Sequence, residues 1–302
     1  MNLLHLGLIG CGRWGRNILR DLRAIGCQVT VADPDPKARQ VAEGMGARTC
    51  VAGSELREVD GYVVATPTVL HVACILEILD QGKPIFVEKP LSHDPKAARR
   101  LLSCGGDIYV MEKWRYHPGV QALKTIAASG ELGHVVGLRT TRVQWNQPHR
   151  DVDAIWVLAP HDLSIAKEVL GDVPELRASV AERFREPGEG MLAVFGNAPW
   201  FVMEVSACRP DARREIRLVC ERGIASLDDA LAEHITIAAH AALDDPLRTE
   251  RRPIGNEMPL HRELEIFIGY LNGGPPPLTP LSEGVEMVEL VARMHREAGL
   301  PG

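Results

Sequence analysis

The sequence predicts an α/β chain in two parts: a doubly wound parallel sheet over residues 1–118, then an α+β domain with an open, mainly antiparallel sheet over residues 119–302. Three observations carry this expectation. Short apolar runs alternate with amphipathic helical stretches up to about residue 118, as successive strand–helix–strand units require. The first apolar run breaks at glycines and turns directly into a helical pattern. Past residue 130 the strand-like runs follow one another with little helix between them, the pattern of antiparallel pairing.

The first element is Leu6-Gly7-Leu8-Ile9, a buried strand, followed by Gly10-Cys11-Gly12-Arg13-Trp14-Gly15 and a helix marked by Ile18, Leu19, Leu22 and Ile25. Gly10, Gly12 and Gly15 have G-x-G-x-x-G spacing. The first glycine permits a tight turn, the second lets backbone approach a pyrophosphate, and the third lets helix pack on strand. The helix N-terminus, with Arg13 and Trp14 in its first turn, offers N–H groups and partial positive charge to phosphates. A second strand, residues 27–32, ends at Asp33, about 20 residues past the glycines, where a ribose-binding carboxylate belongs. Such a carboxylate accepts from ribose hydroxyls and repels a 2′-phosphate. NAD is therefore expected, with Lys37 and Arg39 near enough to leave NADP open. A polar turn and helix start at Asp33-Pro34-Asp35-Pro36 is the plainer alternative.

The alternation continues with a helix at 37–45, a short strand at 48–51, strands at 61–65, 84–88 and 107–111, and helices at 70–79 and 96–102. Ligands bind such sheets at the carboxyl ends of the strands. There the unusual residues gather: Gly10 to Gly15, Asp33, Thr66-Pro67, Glu88-Lys89-Pro90 and Glu112 to His117. In the second half a helix at 120–128 leads into a strand at 135–145 and a loop, Gln147-Pro148-His149-Arg150. Pro160 suits the first turn of a helix running to 170. Strands are expected at 175–184, 191–195, 200–207, 215–220 and 224–227, a rigid loop at Gly273-Gly274-Pro275-Pro276-Pro277, and a last amphipathic helix at 283–296.

Composition narrows the function classes. A chain of 302 residues with 45% hydrophobic and 25% charged residues can bury two cores. A net charge of −6 argues against a general nucleic-acid or anionic-membrane binder. No apolar run approaches the ~20 residues that span a bilayer. The opening residues lack the basic stretch and long apolar core of a secretory leader, so a cytoplasmic location is expected. Cys11, Cys27, Cys50, Cys74, Cys104, Cys208 and Cys220 are scattered, with neither C-x-x-C pairs nor metal-ligand spacing, so no metal is expected. Cys11, inside the glycine turn, is the one expected nearest a ligand.

Thr66-Pro67-Thr68-Val69-Leu70-His71, then Gly82-Lys83, an apolar strand and Glu88-Lys89-Pro90 follow the glycine turn in order. The chain thereby resembles the glucose–fructose oxidoreductase / inositol dehydrogenase (Gfo/Idh/MocA) family. Arg115-Tyr116-x-Pro118, Gly130-x-x-Gly133, Pro160-His161-Asp162 and Gly223-x-x-x-Leu227 extend the resemblance over most of the chain. The resemblance implies an NAD(P)-binding Rossmann domain followed by a substrate and oligomerisation domain. It also implies hydride transfer between nicotinamide and a carbinol or ketone of a sugar, nucleotide sugar or cyclitol. Thr66, Pro67, His71, Glu88 and Lys89 would line the cofactor, with Glu88 orienting its neighbours. Lys89 would polarise the reacting oxygen, as an ammonium can. His161, an imidazole that titrates near neutrality, would exchange the proton. Asp162 is expected to face a helix N-terminus. Arg115, Tyr116, Trp145, His161 and Arg150 would face the substrate, and homodimers or homotetramers are implied.

One departure stands out. Many relatives carry Asp four residues before the histidine, where this chain has Val157. Either Lys89 and His161 suffice, or Asp151 or Asp153 reaches in, or the activity differs. The rival functions are reduction of an imine or conjugated double bond and a non-catalytic dinucleotide-binding regulator.

Overall fold

Strands β1 (His5–Ile9), β2 (Gln28–Ala32), β3 (Arg48–Cys50), β4 (Gly61–Val64), β5 (Ile85–Glu88) and β6 (Ile108–Met111) pair in the order 3-2-1-4-5-6, all parallel. This is the doubly wound order, whose winding reverses between β1 and β4 and opens a crevice at their carboxyl ends. The computed structural model describes residues 3–146, 151–240 and 245–300. Helices α1 (Arg13–Ile25), α2 (Pro36–Gly44), α3 (His71–Ile78) and α4 (Pro95–Cys104) connect the strands. β4 and β5 are buried along their whole length, as a strand covered on both faces must be.

The expected Rossmann sheet is therefore present, with one addition. The chain divides into two compact units, residues 1–113 with 260–289, and residues 114–259 with 290–302. The expectation above placed everything past residue 118 in the second domain. Helix α7 (Pro259–Leu271) was not anticipated. Its Leu260, Leu264 and Phe267 complete the core of Leu6, Leu8, Val29, Val63 and Phe86, and Phe267 stacks on Phe86 at 4.9 Å between ring centroids. The chain next runs along β6, where Val110 N–H donates to the Thr279 carbonyl at 2.9 Å. That contact covers part of an otherwise bare sheet edge.

The second unit is built on β7 (Val135–Trp145), β8 (Leu176–Arg183), β9 (Pro187–Gly196), β10 (Trp200–Ser206), β11 (Cys208–Cys220), β12 (Gly223–Leu227), β13 (His234–Ala239) and β14 (Arg248–Pro253). Their order is 14-13-12-11-7-10-9-8, antiparallel throughout except for the β7–β10 pair. The open, mainly antiparallel sheet is as expected; β13 and β14 extend it beyond the runs read from sequence. Helices α5 (Pro118–Ser129) and α6 (Ala154–Leu170) belong to this unit, and α8 (Leu281–Glu297) closes the chain. Among the described residues no helix is long and apolar enough to cross a membrane.

Two local expectations are corrected. α6 begins at Ala154, so Pro160 lies inside the helix and His161 in its middle. The Asp153 side chain caps it, accepting from Ile155 and Trp156 N–H at 3.0 and 3.1 Å. Residues 154 to 160 are all buried, and that apolar contact offsets the hydrogen bond a proline withholds from the Trp156 carbonyl. Asp162 accordingly faces no helix end; it is buried against Arg142.

Candidate active site

In the first unit the glycine turn is shaped by three different constraints. Gly10 adopts φ +93°, and a Cβ there would lie 2.8 Å from the Ala65 carbonyl oxygen. A Cβ on Gly15 would lie 2.3 Å from the Gly10 oxygen. Gly12 meets nothing within 4 Å, and no side chain caps the helix it begins. The fold thus requires glycine at 10 and 15, while at 12 the space beside the backbone is open, as a dinucleotide phosphate needs. No acidic residue occupies the first turn of α1. Arg13 is exposed there, and Trp14 half-buried.

Asp33 is fixed beside this turn. Its Oδ2 accepts from Cys11 N–H at 2.7 Å and its Oδ1 from Asp35 N–H at 2.9 Å. Asp35, in turn, caps α2 through Lys37 N–H, so the helix start falls on Asp35. Arg39 donates to the carbonyls of Asp33 and Pro34 at 2.7 and 3.0 Å. The Cys11 thiol, expected near a ligand, instead lies in the apolar core, where burial raises its pKa. Only its backbone faces the turn.

At the ends of β4 and β5 the side chains interlock. His71 is buried, with Nδ1 2.9 Å from the Pro90 oxygen and Nε2 2.9 Å from the Thr66 oxygen. It ties the Thr66-Pro67 turn to the Lys89-Pro90 segment. Glu88 accepts from the Trp14 indole N–H and, at 3.1 Å, from the Lys89 N–H. Burial raises the Glu88 pKa against the opposing charges of Lys89 and Lys113. The Lys113 ammonium sits 4.1 Å from the centre of the Trp14 ring. Lys89 is half-buried between these fixed neighbours, while Thr66 and Pro67 stay partly open.

A third buried carboxyl, Glu263 on α7, was missed. Burial and the charges of Glu88 and Glu112 raise its pKa well above the ordinary carboxyl value. Only an apolar helical stripe interrupted by an acid (Leu260, Glu263, Leu264, Phe267) could have signalled it.

In the second unit α6 carries half-buried His161, and the Ser164 hydroxyl donates to the His161 carbonyl at 2.9 Å. Val157 is buried one turn before. Asp153, considered as a substitute acid, is committed to capping α6 and to His295 Nε2 at 2.9 Å. Arg115, expected to hold substrate, is buried in an ion pair with Glu168 at 2.7 Å. Lys124 and Gln121 also donate to Glu168. Burial opposes that carboxylate's charge, but these three donors together hold its pKa low. Arg115 is therefore a structural pair.

Tyr116 is half-buried in the turn before α5. Trp145, at the end of β7, is 52% exposed beside the Arg185 guanidinium. Arg150 lies outside the described residues. Arg142, which sequence reading passed over, donates to Asp162 at 2.6 Å and lies over the Trp114 ring at 4.4 Å.

The comparisons with known proteins agree with this architecture. Residues 4–105 match the model of the GFO_IDH_MocA oxidoreductase family, described as an NAD-binding Rossmann fold. An inositol 2-dehydrogenase from Ralstonia nicotianae is 26% identical, over 90% of this chain and 87% of that one. Against an uncharacterized oxidoreductase of Streptococcus pneumoniae and an inositol 2-dehydrogenase of Saccharopolyspora erythraea, the match spans 56% and 58% of their lengths. Among solved structures, levoglucosan dehydrogenase in complex with NADH and L-sorbose superposes with TM-score 0.87 at 16% identity, covering 99% of this chain and 97% of that one. The UDP-N-acetylglucosamine 3-dehydrogenase of Acidithiobacillus ferrooxidans superposes with TM-score 0.84 at 22% identity, covering 99% and 98%. On the glycine turn, the sheet order and these likenesses, residues 4–105 form an NAD-binding Rossmann domain of the Gfo/Idh/MocA oxidoreductase type, and the chain as a whole is similar to members of that family.

Proposed function

We propose that the protein is an NAD-dependent dehydrogenase acting on a secondary carbinol or ketone of a sugar, nucleotide sugar or cyclitol. The carrying observation is the open space beside Gly12, flanked by Asp33 and by the interlocked Trp14–Glu88–Lys89 group at adjoining strand ends. Similarity to inositol 2-dehydrogenases, and a fold shared with sugar dehydrogenases, support the substrate class. When bound, the nicotinamide supplies the hydride donor or acceptor.

The remaining roles fall to the chain. The Asp33 carboxylate accepts from ribose hydroxyls, and its charge disfavours a 2′-phosphate. Arg39, which would welcome that phosphate, is engaged by two carbonyls. Glu88 steadies Trp14 and the Lys89 backbone. Lys89 polarises the substrate oxygen, and His161 takes or returns its proton. Two copies would pair through the open sheet of the second unit, as the family resemblance implies.

Lys89→Ala should lower NAD-dependent turnover of a polyol panel by about 10²–10³-fold, the scale of losing one electrostatic stabiliser. NADH binding, read by fluorescence, should stay intact. Unchanged turnover would refute the role of Lys89. Tight NADH binding without turnover of sugars, cyclitols or imines would favour the regulatory reading, for which buried Val157 speaks.

A further inference from the structure

We propose that the second unit selects substrates bearing an oxyanion, a carboxylate or a phosphate, and that Arg214, steadied by Gln144, binds it. This deepens the dehydrogenase reading and rests on it.

Arg142 on β7 and Arg214 on β11 are direct cross-strand partners. Opposed like charges destabilise a sheet unless something compensates them. Arg142 has its compensation: the buried Asp162 carboxylate at 2.6 Å and the Trp114 ring beneath it. Arg214 has no equivalent. Among the described residues its hydrogen-bond partner is the Gln144 side-chain oxygen, at 3.1 Å, and no carboxylate lies within ion-pair distance. Burial and the Arg142 charge lower the Arg214 pKa, against the weaker pull of Asp229 and Asp162.

The contrast with the other face of the same strand is informative. Arg213 is paired with Asp211 at 2.9 Å, and Arg217 with Glu215. The outward arginines carry their own counterions, and the inward one does not. The bond from Arg142 to Asp162 ties the arginine pair to the turn of α6 that also carries His161, the proposed acid/base residue. Arg214 is open to solvent, so a ligand can reach it. A guanidinium fork matches a carboxylate or a phosphate with two parallel hydrogen bonds. A neutral polyol brings no charge to relieve the repulsion.

The test compares D-glucose, D-glucuronate and D-glucose 6-phosphate, which share a ring and differ in charge. Their binding to the full-length protein is titrated by NADH fluorescence and, without cofactor, by thermal shift. At least one anionic sugar should bind about tenfold tighter than glucose, and Arg214→Gln should weaken it by about ten- to hundredfold, the scale of charged hydrogen bonds. Arg262→Gln, on an exposed helix face, should change neither value. Whichever of glucuronate and the phosphate gains more identifies the oxyanion. Equal binding of all three sugars, no binding of either anion at millimolar concentration, or undiminished anion binding by the Arg214 variant each overturns the proposal. Failure of NADH to bind would instead sink the dehydrogenase reading, while the cofactor-free thermal shifts still decide the arginine.

Discussion

Three glycines in one turn have three different reasons to be glycine, and substitution separates them. Gly10→Ala puts a side chain at φ +93° against the Ala65 carbonyl, and Gly15→Ala drives one into the Gly10 oxygen. Each should cost about 1–3 kcal/mol of stability, the range for strained backbone at Gly10 and for overpacking at Gly15, visible as a lower denaturation midpoint. Gly12→Ala has φ −66° and open space, so its stability should stay near wild type. It should nonetheless lose NADH affinity, measured by fluorescence, because the methyl occupies the phosphate's approach. A Gly12 variant that binds NADH normally would remove the cradle assignment.

Arg115 illustrates the opposite outcome at the same scale. Its sequence context suggests substrate binding, yet its guanidinium is buried against Glu168. Arg115→Ala should cost about 3–5 kcal/mol, as breaking a buried pair does, and leave NADH affinity unchanged. Sequence names the charge and not its partner, since Glu168 lies 53 residues away.

At the scale of elements, α6 is held at its start by one side chain doing two tasks. Asp153 caps the helix through Oδ1 and accepts from His295 through Oδ2. His295 is fully buried, which alone would lower its pKa. The bond and charge of Asp153 and the Val291 carbonyl outweigh burial and raise it. A raised histidine binds its proton more tightly when folded, so its stabilisation is complete below the unfolded value of about 6.5 and fades as pH rises through the folded one. Stability should therefore fall between pH 6 and 8 by about 1 kcal/mol or less, and Asp153→Asn should flatten that slope while keeping the cap. Chemical denaturation across the range measures both.

Helix α7 brings a second element-scale expectation. Glu263 also has a raised pKa, so the folded form keeps a proton that the unfolded chain releases above about pH 4.3. Its stability penalty grows as pH rises. Glu263→Gln should thus gain on the wild type as pH rises above about 5. A variant that loses ground at pH 8 would show Glu263 ionised and needed as such.

For the whole molecule, residues 260–289 return to the first unit after the chain has passed through the second. Phe267 there is fully buried on Phe86, so Phe267→Ala should cost about 3–5 kcal/mol, lowering the thermal midpoint of NADH-protected protein. This return was not legible in sequence. A helix at 259–271 has an ordinary amphipathic stripe, and nothing in the stripe names which core it completes. The parallel sheet was legible, because strand–helix alternation and β-branched runs are local signals that all point the same way. Helix boundaries were legible where caps are local, as at Asp35 and Asp94. They were misread at Pro160, where burial of a whole helix outweighs one residue's preference.

By itself, the sequence determined the two-part α/β plan, the glycine turn with Asp33, and the Glu88-Lys89-Pro90 strand end, since each depends on residues close together in the chain. Only the tertiary structure decided which charges are spent inside the protein and which are left for a ligand. Arg115 and Asp162 are consumed by partners 53 and 20 residues away, Cys11 turns its thiol to the core, and Arg214 is left facing Arg142 with no carboxylate in ion-pair distance among the described residues. Whether a polar side chain binds substrate or stabilises the fold depends on where its counterion lies, and that is settled by pairing across the sheet.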